Sequence, residues 1–174
     1  MANTYTLIEA RTVASATHSV TLSTIPQNYT DLLVRFSLRS DFNFNFHEGQ
    51  FTFNSVSSDY SQTLFSSDGS NPSTVANSSQ GIATWSLVIN GSASTSNTFS
   101  NGELYIPNYS STTVGKSWTT TAVTENNATA AGLWMVAGSN TSTAAISSLT
   151  FYAWQSFINF VPGSTFYLYG IKNS

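Results

Sequence analysis

Two histidines and eight acidic residues make up this sequence's stock for acid–base or metal chemistry near neutral pH, because it has no cysteine. His18 lies in an extended-looking run with no serine and acid arranged around it as a nucleophile–base pair requires, and reads as an exposed polar strand position. His47 and Glu48, with Asp41 six residues before His47, would ligate a metal if a hairpin gathered them, but the spacing fits a solvated loop end better. Asp59 and the run Asp68-Gly69-Ser70-Asn71 carry oxygen ligands of the kind Ca²⁺ takes. They lack the dense carboxylate spacing of an EF-hand loop, so a turn built on Asp-Gly is the better reading. Glycoside hydrolysis needs two carboxyl groups roughly 5 Å or 6.5–9.5 Å apart, and nothing in the sequence selects a pair. No catalytic residue, metal site or cofactor is expected.

Binding chemistry has more to draw on. Trp118, Trp134, Trp154 and Phe157 include rings that would suit a sugar-stacking platform, although Trp85, Trp118 and Trp134 are expected to fill a core. The run from Phe151 to Phe160, F-Y-A-W-Q-S-F-I-N-F, is too aromatic for an ordinary surface loop. It must wrap the core or meet a partner. Trp154, Phe157 and Phe160 are the candidate interface residues.

The elements that would position these groups are extended. From Tyr29 to Asp41 the chain reads Y-T-D-L-L-V-R-F-S-L-R-S-D. Leu32, Val34, Phe36 and Leu38 fall on one face and Arg35, Ser37 and Arg39 on the other, the period of a half-buried strand. Phe42, Phe44 and Phe46 alternate with Asn43, Asn45 and His47 in the same way, and Gly49 suggests a hairpin turn or a bulge. The stretch from Asp59 to Gly81 is mostly Ser, Asn, Asp, Gly and Pro and reads as a long loop. Further strands are expected over Thr4–Ile8, His18–Ser23, Ile82–Asn90, Thr98–Pro107, Ser117–Thr124, Ala130–Ala137, Ala144–Tyr152 and Thr165–Ile171. A turn is expected at Glu125-Asn126-Asn127, and one helical turn over Ala128–Ala131. About nine or ten strands at even spacing predict an all-β antiparallel two-sheet sandwich of jelly-roll type. With no repeat and no linker, all 174 residues are expected to form one domain.

Charged residues are only 7% of the chain, against about 25% in ordinary soluble proteins. Hydrophobic residues at 40% exclude a disordered chain of low hydrophobicity. The five basic residues are scattered and the net charge is −3, so nothing resembles a phosphate-binding stripe, and nucleic acid is not an expected partner. No apolar run approaches the ~20 residues of a membrane span and no leader is evident, so no membrane partner and no export are expected. A polar surface with so little charge suits permanent packing into an assembly.

The opening Y-T-L-I-E (Tyr5 to Glu9) and the block from Ser23 to Asp41 resemble virion structural proteins of tailed bacteriophages, notably those of marine bacteria. So do E-L-Y-I-P-N-Y (Glu103 to Tyr109), V-T-E-N-N-A-T (Val123 to Thr129), A-G-L-W (Ala131 to Trp134) and N-F-V-P-G-S-T-F-Y-L-Y-G-I (Asn159 to Ile171). D-F-N-F-N-F-H-E (Asp41 to Glu48) and the aromatic decade before Val161 lie outside that likeness. The resemblance implies a non-enzymatic virion protein made in the host cytoplasm, with a capsid decoration or cement protein leading and a tail or fibre component touching host glycan as the alternative. A free carbohydrate-binding module or glycosidase domain is the reading from another class. Expected partners are copies of the chain itself, a trimer by analogy with virion jelly rolls, and the major capsid protein or other virion proteins.

Overall fold

The computed structural model describes residues 4–69, 71–124 and 132–172, which are all-β with no helix. The turn expected at Glu125-Asn126-Asn127 and the helical turn expected over Ala128–Ala131 lie outside the described residues. Twelve strands are present: β1 (Tyr5–Thr12), β2 (Ser19–Leu22), β3 (Asp31–Leu38), β4 (Phe46–Phe53), β5 (Tyr60–Ser67), β6 (Pro72–Gln80), β7 (Ala83–Asn90), β8 (Ser100–Ile106), β9 (Lys116–Val123), β10 (Leu133–Asn140), β11 (Leu149–Tyr152) and β12 (Thr165–Ile171). They form an eight-stranded sheet in the order β1-β12-β3-β8-β9-β10-β5-β6 and a four-stranded sheet in the order β2-β11-β4-β7. Every strand pairing in both is antiparallel, and the two layers make a jelly-roll-like sandwich.

Residues directly opposite each other on antiparallel strands share a face, so the register lays out the core. Leu168, Val34, Leu104, Thr120, Val136 and Leu64 form one inward row across the wide sheet, and Val75 on β6 continues it. Leu32, Val34, Phe36 and Leu38 are all buried, as their spacing predicts. Each such side chain contributes roughly 1.5–3 kcal/mol when fully removed from water. Leu33, which breaks the alternation, is buried as well, because Tyr169 and Tyr105 flank it on the outer face.

Three expectations need correction, and one left open is settled. The supposed loop from Asp59 to Gly81 is the β5–β6 hairpin, whose Ser- and Thr-rich strands lack the apolar alternation that announces a sheet. The run from Asp41 to Asn45 is bent rather than extended, and β4 begins only at Phe46 with His47 inward. Of the turn or bulge expected at Gly49, the structure has the bulge, since the register with β7 shifts between Gly49 and Phe51. Of the three tryptophans expected in the core, only Trp118 is fully buried; Trp85 and Trp134 are half-buried. Trp118 lies flat against Gly138, where an added Cβ would stand 2.2 Å from the indole.

Candidate functional site

Ser40 and His47 form the arrangement nearest to catalytic chemistry. The Nδ1 of His47 faces the Glu48 carbonyl at 2.8 Å and must donate to it, so Nε2 is the acceptor for the Ser40 hydroxyl at 2.6 Å. That is the geometry of a serine poised on a base. Ser40 is fully buried and His47 is 7% exposed, so no substrate reaches the hydroxyl. Burial holds the His47 pKa below its usual value, against the weaker upward pull of the Glu48 carbonyl and Asp41. The pair is therefore a neutral buried link between the end of β3 and the start of β4.

With both ring nitrogens of His47 hydrogen-bonded, the set Asp41, His47 and Glu48 is no metal site, and the expectation of a solvated loop end for His47 is corrected too. Among the described residues no group of three or more His, Asp or Glu could hold a metal ion. Asp59 and Asp68 stand before and after the eight-residue β5, roughly 30 Å apart at strand rise, so they cannot share one. The Asp68 carboxylate accepts instead from the Asn71 amide, as hairpin-turn chemistry requires. His18 is half-buried rather than exposed, its Nδ1 3.0 Å from the Ile158 carbonyl and its ring against Tyr152. Glu48, on the opposite face of β4 from His47, is half-buried, and burial raises its pKa to about 7.

The aromatic residues gather where the catalytic ones do not. Phe42 is the hub of a surface cluster. Its ring stacks on Phe44 at 4.9 Å and 4°, and meets Trp154 at 5.7 Å, Phe157 at 6.3 Å and His47 at 5.4 Å, all three edge-on. Phe44 and Phe157 stand 58% and 66% exposed, while Phe42 and Trp154 are half-buried beneath them. The cluster unites the run from Asp41 to Glu48 with the aromatic decade before Val161.

Both segments are pinned. The Asp41 carboxylate accepts from the main-chain N–H and side-chain amide of Asn159, at 2.9 and 2.8 Å, and the Asp41 N–H donates back to the Asn159 carbonyl. On the other side the carbonyls of Phe42, Phe44 and Asn45 accept from Ser92, Ala93 and Gly91. Gly91 permits that approach, since a Cβ there would stand 2.0 Å from the Phe44 oxygen. Arg39 holds the same connection from β7 to β8 from below. Its guanidinium donates to the carbonyls of Thr95 and Thr98 at 2.8 Å and of Ser94 at 3.1 Å. Trp154 sits at φ +68°, a left-handed conformation costly for a bulky residue and maintained where surrounding contacts over-determine it.

Of the three candidate interface residues, the structure brings Phe157 and Trp154 into this cluster and sends Phe160 elsewhere. Phe160 is fully buried, edge-on to Phe166, and bridges Thr17 and Ser40, so it belongs to the chain's own core and cannot face a partner. Phe42 and Phe44 escape sequence reading because alternation with asparagine imitates a strand. Asparagine's poor fit to strands is the signal that could have exposed them.

A second surface lies on the outer face of the wide sheet. Tyr5, Leu7 and Tyr167 are exposed near one edge, and Val123, Met135 and Phe65 near the other. Between them Arg35 pairs with Glu103 across β3 and β8 at 2.9 Å. Compared with protein-family models and with curated protein sequences, the chain matches none.

Proposed function

We propose that this chain is a non-enzymatic structural protein of a tailed-phage virion, a decoration or cement protein that packs on the outside of the capsid shell. The observation that carries the reading is the pinned aromatic patch. Phe44 and Phe157 are held out to solvent by hydrogen bonds from three sides, so docking them orders little further chain and costs little entropy. Exposed, rigid aromatic groups at one end of a sandwich are the anchors from which interfaces are built. The resemblance of the sequence blocks supplies the virion, and the scarcity of charge fits a permanent contact.

The test is rebinding to particles. Purified protein should saturate capsids that lack it, and Phe44→Ser with Phe157→Ser should reduce binding at least tenfold while thermal unfolding changes little. Particles that bind the double variant as well as the parent, or that bind neither, would overturn the reading.

The same patch favours a second reading, a tail or fibre component touching host glycan. Aromatic faces stack on sugars, and Asn43 and Asn45 are exposed beside them. Binding to host surface polysaccharide, lost with Phe44→Ala and absent toward capsids, would select it.

A further inference from the structure

We infer that β6 is a docking edge for a second copy of this chain, the two β6 strands pairing antiparallel about a twofold axis with Val75 opposite Val75 of the second copy. This goes beyond the virion reading and holds wherever in a particle the chain resides. β6 is the last strand of the wide sheet, nine residues long, and among the described residues no strand pairs with its outer side. Its sequence P-S-T-V-A-N-S-S-Q carries no charge, and neither of its faces is covered. Proteins usually blunt such an edge with charges, proline, bulges or brevity, and β6 has these only at its ends, Pro72 at the start and a register shift beyond Asn77, which leaves Ser73 to Asn77 regular. The other edges of the sandwich are blunted. β1 carries Glu9, Arg11 and a bulge after Leu7; β2 has four residues; β7 is largely buried.

The geometry selects the occupant and the register. The Asn77 carbonyl accepts from Ser61 of β5 and so faces inward. By alternation, the outward N–H and C=O groups belong to Thr74, Ala76 and Ser78. Centring the twofold on Val75 sets Thr74 against Ala76 and Pro72 against Ser78 of the second copy, with about six main-chain hydrogen bonds. Pro72, which cannot donate, falls at the end of the ladder. The far end stops before Ser79, whose φ of +56° bends the strand away. No like charges meet. Val75, left 36% exposed where the inward row runs out, covers its twin.

Because the chain has no cysteine, one substitution reads the register directly. Val75→Cys under mild oxidation should give a disulfide-linked dimer in nearly full yield. Val114→Cys, at a site of greater exposure, should not. The unmodified protein should sediment as a dimer at micromolar concentration, and Val75→Lys should raise its dissociation constant at least tenfold. A monomer or trimer in sedimentation, a dimer indifferent to Val75→Lys, or cross-linking through Val75→Cys no faster than through Val114→Cys would each overturn the proposal. Cysteine is close to valine in volume, so the cross-link decides the matter even if the lysine variant fails to fold.

Discussion

Arg35 and Arg39 are four residues apart on what the sequence presents as one polar strand face, and they end in opposite circumstances. Arg35 projects from the open outer face and pairs with Glu103, both side chains more than half exposed. Arg39, just beyond the end of β3, turns inward and gathers the carbonyls of the loop between β7 and β8. An exposed ion pair is worth at most about 1 kcal/mol. A cation that gathers several loop carbonyls is worth more, because each hydrogen bond to a charged donor contributes more than a neutral one and several are lost at once. Lys116 sides with Arg39: it is 2% exposed and its ammonium donates to Ser111, Val114 and Thr143. A chain with five cations thus uses two as internal clamps on loop backbone.

Four substitutions would break or sharpen that contrast. Lys116→Met should cost the most, about 3 kcal/mol in chemical denaturation, since three carbonyls lose a charged donor. Arg39→Ala should cost about 2 kcal/mol and also weaken particle binding, because its loop backs the aromatic patch; a stability loss with binding untouched would separate clamp from patch.

Glu48→Gln tests the anionic counterpart, a half-buried carboxyl raised to about 7 from an ordinary 4.5. The folded protein keeps a proton there that the unfolded chain releases, so stability falls as pH rises from about 4.5 to 7. The glutamine variant should gain about 1–2 kcal/mol on the parent across that window and nothing below it. His47, lowered by burial, works in the other direction, with stability lost as pH falls beneath 6.5. The glutamine variant should therefore show the acid-side loss alone. Smallest of all, Arg35→Ala should change stability by less than about 0.5 kcal/mol, and a larger effect would mean that the outer face is covered by something the cation contacts.

The contrast also explains how much of the fold is legible in the sequence. Strict alternation identified β3 and its buried face because one side of a strand either meets a core or does not. The same logic assigned Arg39 to the outer face, since periodicity carries no information about where a strand ends and a loop crosses it. The β5–β6 hairpin was invisible for a related reason: serine and threonine pair well in sheets without marking a buried face. As for the patch, Trp154 and Phe157 were recognisable as excess aromatic surface, whereas their partner Phe42 lies more than a hundred residues earlier in the chain. Phe160 went the other way because it serves as a strand-like bridge between the sheets.

The pairing of β1 with β12 has a mechanical side. Tyr5 stands opposite Ile171 and Thr12 opposite Thr165, so the two strands run back to back from a common corner. Tension applied through Tyr5 and Ile171 therefore opens this ladder one rung at a time, like a zipper, instead of shearing all its hydrogen bonds together. The wide sheet beyond it, from β3 onward, would bear no load until β1 had peeled away. A tether at that corner would yield softly and early, leaving the aromatic patch and the β6 edge in place while the strand is drawn out.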